Sequence, residues 1–244
     1  MNSAQDDLAR RLIAAHEGGE PVGTVAPELV PTSLEEVYAL QDRVIAHAGE
    51  IGGWKIMAGG EGEPLCAPVP ASRYYDEGAE LDAGHHRLII AEVEFAVKLG
   101  ADLTPGVAVE QAIASLHPVL EFIANPFVDR DAMARNLLLG DLQSNGAIVV
   151  GPALDRSILD NLTTLKVGLD TDGSTVKTAD TGASWTDVVA ALGWLAQHAA
   201  ARGLPLSAGQ VIITGARVLA PLAGAAEIAG TLGAWGRVSA RLKA

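Results

Sequence analysis

Apolar positions in the first fifty residues recur at helical spacing. Leu8, Leu12, Ile13 and His16 share one face, predicting a helix over 5–16. Pro21, Pro27 and Pro31 then break the chain. A second helix begins at Thr32 or Ser33. Ser33 with Glu36 forms a capping-box pattern, and Val37, Leu40, Val44 and Ile45 supply the apolar stripe. Beyond Gly52-Gly53 the period changes. Glycines and prolines predict an irregular loop over 58–72, long enough to suggest a functional role. A strand follows over His86–Leu99, then a short helix over 108–116, a strand over Val119–Ile123 and a helix over 130–139.

Further on, Ala147–Val150 reads as a buried strand. Leu165–Leu169 and Thr175–Thr178 flank Asp172-Gly173, a hairpin signal. Ser184 and Asp187 cap a helix that carries Val188, Leu192, Leu195 and Ala199 on one face and ends at Gly203. Val211–Thr214 and Arg237–Leu242 read as strands. Helices and strands alternate without a βαβ rhythm, which predicts an α+β fold with a mostly β core. A helical segment over 1–52 precedes a β domain over 53–244.

Composition narrows the function. The 244 residues carry 17 Lys+Arg against 30 Asp+Glu, a net charge of −13. Without a basic stripe, that balance disfavours nucleic acid and anionic membranes as partners. The lone Cys66 excludes an internal disulfide. It reads as a small hydrophobe, with a nucleophile as the alternative. No apolar run is long enough to span a bilayer. The acidic start MNSAQDDLARRL is unlike a signal peptide, so a soluble cytoplasmic protein is expected.

The chemistry centres on Ile89-Ile90-Ala91-Glu92-Val93-Glu94-Phe95-Ala96-Val97. Alternation along a strand puts Glu92 and Glu94 on one face and Val93, Phe95 and Val97 on the other. Paired acids in an apolar strand repel unless a proton or cation lies between them. Mg²⁺ or Mn²⁺ suits carboxylate oxygens. A solvated strand face is the plain alternative. Glu121, in the apolar run Val119-Leu120-Glu121-Phe122-Ile123, is a third acid without a basic neighbour in sequence. Lys55, one of five lysines, follows Trp54. It reads as a general acid–base or anion anchor, or else as a snorkelling surface lysine. Asp141, Ser144 and Gly146 read as turn residues that cradle a carboxylate, or as plain turn chemistry. His85, His86 and His117 read as structural or exposed. No P-loop, GxGxxG or Ser-His-Asp motif is present.

Ordered along the chain are Tyr38-Ala39-Leu40-Gln41, Gly53-Trp54-Lys55-Ile56, Glu92-Val93-Glu94-Phe95-Ala96 and His117-Pro118-Val119-Leu120-Glu121. Asp141 with Ser144 and Gly146, Trp194-Leu195-Ala196, Leu206-Ser207-Ala208-Gly209 and Thr214-Gly215 continue the series. From about Leu34 to Leu242 this series resembles the 2-keto-4-pentenoate hydratase group of the fumarylacetoacetate hydrolase superfamily. The resemblance implies a mixed β-roll or sandwich core with peripheral helices, and a homo-oligomer. It implies a divalent metal on Glu92, Glu94 and Glu121, and a 2-oxo acid that chelates that metal. It places the family lysine on Lys55 and the pre-strand serine on Ser144.

Two segments depart from the family pattern. Ala124-Asn125-Pro126 replaces Asp-Ser-Arg, and Met57 replaces the glycine of Lys-Ile-Gly. The expected reaction is hydration of a 2-hydroxy-2,4-dienoate. Decarboxylation of a 2-oxo-3-enedioate, acylpyruvate hydrolysis and keto-acid binding without turnover are the alternatives.

Overall fold

The computed structural model describes residues 3–243. Two helices open the fold, α1 (Ser3–His16) and α2 (Leu34–Ala48). Of their predicted apolar stripes, Leu8, Leu12, Ile13, Leu40, Val44 and Ile45 are buried together with Phe127, Leu137 and Leu142 in one cluster. Ser33 caps α2 by accepting the Glu36 N–H at 3.2 Å, while the Glu36 carboxylate turns to the Thr32 amide and hydroxyl.

Strands β1 (Ile51–Ile56), β2 (Cys66–Pro70), β3 (Tyr74–Asp76), β4 (Glu80–Asp82) and β5 (Leu88–Leu99) follow. A single helical turn, α3 (Val109–Ala112), leads into β6 (Ile113–Ala124). Helix α4 (Arg135–Gly140) precedes β7 (Asn145–Val150). Then come the hairpin β8 (Val167–Thr171) and β9 (Ser174–Ala179), and helix α5 (Trp185–Ala201). The chain closes with β10 (Val211–Ile213), β11 (Val218–Pro221), β12 (Glu227–Leu232) and β13 (Gly236–Lys243).

The α+β expectation holds, and three local readings change. The loop expected over 58–72 contains β2, whose prolines are tolerated because it is an edge strand. The helix expected over 108–116 stops at Ala112, because the apolar run from Ile113 to Ala124 is one continuous strand. The helix expected over 130–139 is confined to Arg135–Gly140. Asp172 and Gly173 both have positive φ, as a tight hairpin requires. None of the described helices is long and apolar enough to cross a membrane.

Two sheets form the core. The larger runs β2-β1-β10-β5-β6-β7-β3, with β11 also paired to β5. The smaller runs β4-β13-β12-β8-β9. Strand β5 is the spine: β6 pairs along its length, while β10 and β11 divide its other edge. Val93, Phe95 and Val97 enter the main core between the sheets. Gly230 of β12 lets the smaller sheet approach closely. A Cβ there would stand 2.8 and 2.9 Å from the two Val93 methyls and 3.3 Å from Leu120.

Gly230→Ala therefore overpacks the sheet–sheet contact. A loss of about 1–3 kcal/mol in urea unfolding is expected, and unchanged stability would show that the sheets are not pressed together there.

Candidate metal and substrate site

The opposite face of β5 carries Glu92 and Glu94. Across the antiparallel β5–β6 pair, Glu92 stands in direct register with Glu121. One carboxylate oxygen from each of the three glutamates lies within 4.8 Å of the others. Like charges in register on paired strands repel. Here they are also removed from water: Glu121 is fully buried and Glu94 is 2% exposed. Ala96, Val119, Ile148 and Ile213 form an apolar patch on the same face. The acids thus stand on a buried face, which removes the solvated-strand alternative.

Lys55 comes from β1, two strands away through β10. Its Nζ donates to Glu121 Oε1 at 2.5 Å, so the surface-lysine alternative fails. Asn145 Nδ2 donates to the same oxygen at 2.8 Å. Glu121 Oε2 has no hydrogen-bond partner among the described residues. Glu94 Oε2 accepts the Gly215 N–H at 2.7 Å, and Gly215 has a φ of 109°.

Titration follows from this crowding. Burial, then the Glu121 and Glu92 charges, hold Glu94 well above the ordinary carboxylate range. Burial and Glu121 push Glu92 up to about 7, against the pull of Lys55. Burial alone would discharge Lys55, but Glu121, Glu92 and Glu94 together outweigh it and keep its pKa raised. Three carboxylates share one ammonium, and one buried carboxylate oxygen of Glu121 is left without a donor. Oxygen ligands of this hardness fit Mg²⁺ or Mn²⁺.

The turn before β7 is strained. Leu142, Gln143 and Ser144 have φ of 47°, 54° and 57°, three consecutive left-handed residues without a glycine. Each costs about 1–2 kcal/mol. Surrounding contacts hold the turn in place. Asp141 is fully buried, and both of its oxygens meet His16 Nε2, at 2.9 and 3.1 Å. Its carboxylate is therefore spent on α1 and does not line the cavity. Arg73 donates to the Asn145 carbonyl. Ser144 Oγ accepts from Arg130 Nη1 at 2.8 Å. The turn thus brings Ser144, Gln143 and Asn145 to the glutamates.

A cavity of about 780 Å³ opens over Glu92 and Glu94. Lys55, Met57, Ser144 and Gln143 line it, with Ile90, Ile123 and Leu138 as apolar wall. The family described as fumarylacetoacetate (FAA) hydrolase C-terminal matches residues 46–229. The chain belongs to this family. Its fold matches 4-oxalocrotonate decarboxylase from Pseudomonas putida G7 over 100% of this chain and 98% of that one. The sequence identity is 21% and the TM-score 0.81 for the calcium and acetate complex. The magnesium and adipate complex of that enzyme matches at 22% and 0.80, with the same coverage. A more distant match is 2-hydroxyhepta-2,4-diene-1,7-dioate isomerase from Mycobacterium marinum, at 17% identity and TM-score 0.57. It covers 79% of this chain and 75% of that one.

Two departures from the pattern have plain geometry. Met57 is 56% exposed on the cavity wall, so its bulk meets solvent. Asn125 is used locally, its Oδ1 accepting the Phe127 N–H. Sequence reasoning gave no role to Asn145, Gln143, Arg130, Arg135 or Arg217, and named Gly215 only within the Thr214-Gly215 segment of the resemblance. Asn145 and Gln143 belong to the turn that holds Asp141 and Ser144, but nothing local shows which of its side chains faces the acids. The other four reach the cavity only through tertiary packing. Cys66 is fully buried and its thiol is pushed up to about 12 by that burial, which argues against a nucleophile.

Glu94→Gln keeps the Gly215 hydrogen bond geometrically available and removes one anionic ligand. Calorimetric Mg²⁺ titration is expected to show affinity lower by more than about 100-fold, beyond the cost of losing a supporting residue, with an unchanged unfolding midpoint. Unaltered Mg²⁺ affinity would refute the triad.

Proposed function

We propose that this chain is a divalent-metal-dependent hydratase adding water to a 2-hydroxy-2,4-dienoate through an enolate. The observation that carries this reading is the Lys55 Nζ contact with Glu121, on the wall of the cavity that exposes Glu92 and Glu94. A 2-oxo acid enters with its carboxylate and 2-oxygen toward the three glutamates. Bound Mg²⁺ or Mn²⁺ supplies Lewis-acid stabilisation of the charge that develops on the 2-oxygen.

The chain's own groups then do the following. Ketonisation moves one proton from the 2-hydroxyl to C5, and the role assigned to Lys55 Nζ is to relay it. Water addition bonds oxygen to C4 and moves one water proton to C3, along the same relay. Asn145 and Gly215 fix Glu121 and Glu94, so neither carboxylate reorients as charge moves. Ser144 accepts from Arg130 and keeps its own hydroxyl proton to donate to the substrate carboxylate. Asp141 acts at one remove, holding the turn that presents Ser144. Ile90, Ile123 and Leu138 offer the substrate's carbon chain an apolar wall.

Decarboxylation of a 2-oxo-3-enedioate is the second reading. It is favoured by the full-length likeness to 4-oxalocrotonate decarboxylase and needs the same enolate. Purified protein with Mg²⁺ is expected to bleach the absorbance of 2-hydroxypenta-2,4-dienoate without releasing CO₂. Release of CO₂ from 2-oxohex-3-enedioate, with no loss of the dienoate, would replace hydratase by decarboxylase. Lys55→Met is expected to lower turnover by about 10²–10⁴-fold, the range for loss of a general acid–base, while Mg²⁺ still binds. Turnover within about tenfold of the parent chain would remove Lys55 from the reaction.

A further inference from the structure

The far end of the glutamate-bearing face carries a second group of reactive side chains. Alternation along β6 puts Ser115 and His117 on the same face as Glu121. His117 lies four residues before Glu121, about 13 Å along the strand. Val119 stands between them, in the apolar patch with Ala96 and Ile213. No step proposed for the three glutamates uses Ser115 or His117.

These two side chains are hydrogen-bonded in series. His117 Nδ1 lies 2.8 Å from the Gly151 carbonyl oxygen. A carbonyl only accepts, so Nδ1 carries the ring proton. In the neutral ring Nε2 is then a lone pair, and the Ser115 hydroxyl donates to it at 2.8 Å. A hydroxyl held by a base, with the base held by a third group, is the arrangement of an activated nucleophile. The third group here is a main-chain oxygen, so no acidic motif marks it in the sequence. Lys98 of β5 stands in direct register with Ser115. It is exposed, and its ammonium makes no ion pair with any described residue. His117 and Lys98 line a separate cavity of about 590 Å³, walled by Tyr74, Tyr75 and Val211, with Asp76 as its one acid.

We propose that Ser115, His117 and Lys98 form a second, metal-independent site that hydrolyses small carboxylic esters by acyl transfer. Ser115 Oγ bonds to the ester carbonyl carbon while its proton passes to His117 Nε2. The Gly151 carbonyl keeps the ring oriented and offsets part of the imidazolium charge. The carbonyl electron pair moves onto oxygen, and the Lys98 ammonium, one strand away, offsets that charge. Collapse breaks the bond to the alcohol oxygen, which takes the proton from His117. Water then adds to the acyl carbon through the same relay, and the bond to Ser115 breaks. Ester and water become acid and alcohol, with no oxidant or reductant needed. The rings of Tyr74 and Tyr75 offer flat apolar surface to an aryl or short acyl group.

The test uses para-nitrophenyl acetate and a fluorophosphonate on the full chain. Hydrolysis is expected to pass through an acetyl ester on Ser115, trapped by acid quench and located by peptide mass spectrometry. The fluorophosphonate is expected to label Ser115 and to stop the hydrolysis. EDTA is expected to leave both unchanged, which separates this site from the glutamates. Ser115→Ala is expected to remove hydrolysis and label with an unchanged unfolding midpoint. His117→Gln is expected to slow acylation by about 10²–10⁴-fold, the range for loss of a general base. Lys98→Met is expected to slow it by about tenfold, less than loss of an enclosed oxyanion donor because Lys98 is exposed. Acetyl or phosphonate adducts on lysines alone overturn the proposal. So do hydrolysis that survives in Ser115→Ala, hydrolysis that EDTA abolishes, and a parent chain that neither hydrolyses the ester nor takes the label. None of these outcomes touches the dienoate reading, which has its own absorbance readout.

Discussion

Three carboxylates within 4.8 Å, on a buried face and opposed by one ammonium, are the constraint the rest of the molecule answers. Isolated charges in such a place are costly, and burial drives two of the acids toward protonation. Unlike a flexible surface cluster, these acids cannot move apart. Their spacing is fixed by the β5–β6 ladder, which sets Glu92 opposite Glu121. The backbone register therefore does the positioning, and side-chain freedom is small. Lys55 adds a third strand position, held across β10. Ala96, Val119, Ile148 and Ile213 pack beside the acids on the same face, while the cavity opens over Glu92 and Glu94.

The neighbours of the cluster divide into those that carry charge and those that fix direction. Asn145 and the Gly215 amide each take one carboxylate oxygen as acceptor. That leaves the remaining oxygens free to face the cavity or one another. The strained turn serves the same end: Gln143 and Ser144 reach the site because the backbone is left-handed there. Strain of this kind persists only where the surroundings over-determine it. Here they do, through the Asp141–His16 pair, the Arg73 contact and Arg130.

Much of this is legible in the amino-acid sequence. The alternation around Val93 gives the facing of Glu92 and Glu94 directly, because a strand has only two faces. Glu121 stands out as an acid inside an apolar run. Lys55 is ambiguous in isolation, and only its order among the other segments points to a role. Local inference fails where tertiary contact decides. The prolines of 64–70 suggest loop, yet an edge strand forgives them. Asp141 looks like a ligand cradle, yet its partner lies 125 residues away in sequence. Arg130 and Arg135 give no local signal, since an arginine before or at the start of a short helix usually faces solvent.

That distant partner has a consequence for the way the chain must be assembled. His16 is the last residue of the first helix, and it secures the turn from behind. Helix α1 thus works as a latch on the turn that presents Gln143 and Ser144 to the cavity. His16 precedes its partner by 125 residues, so the contact that secures the turn forms only after the strands between them exist. An amino-terminal truncation would leave every proposed ligand and proton carrier in the protein, yet release the turn that aims them.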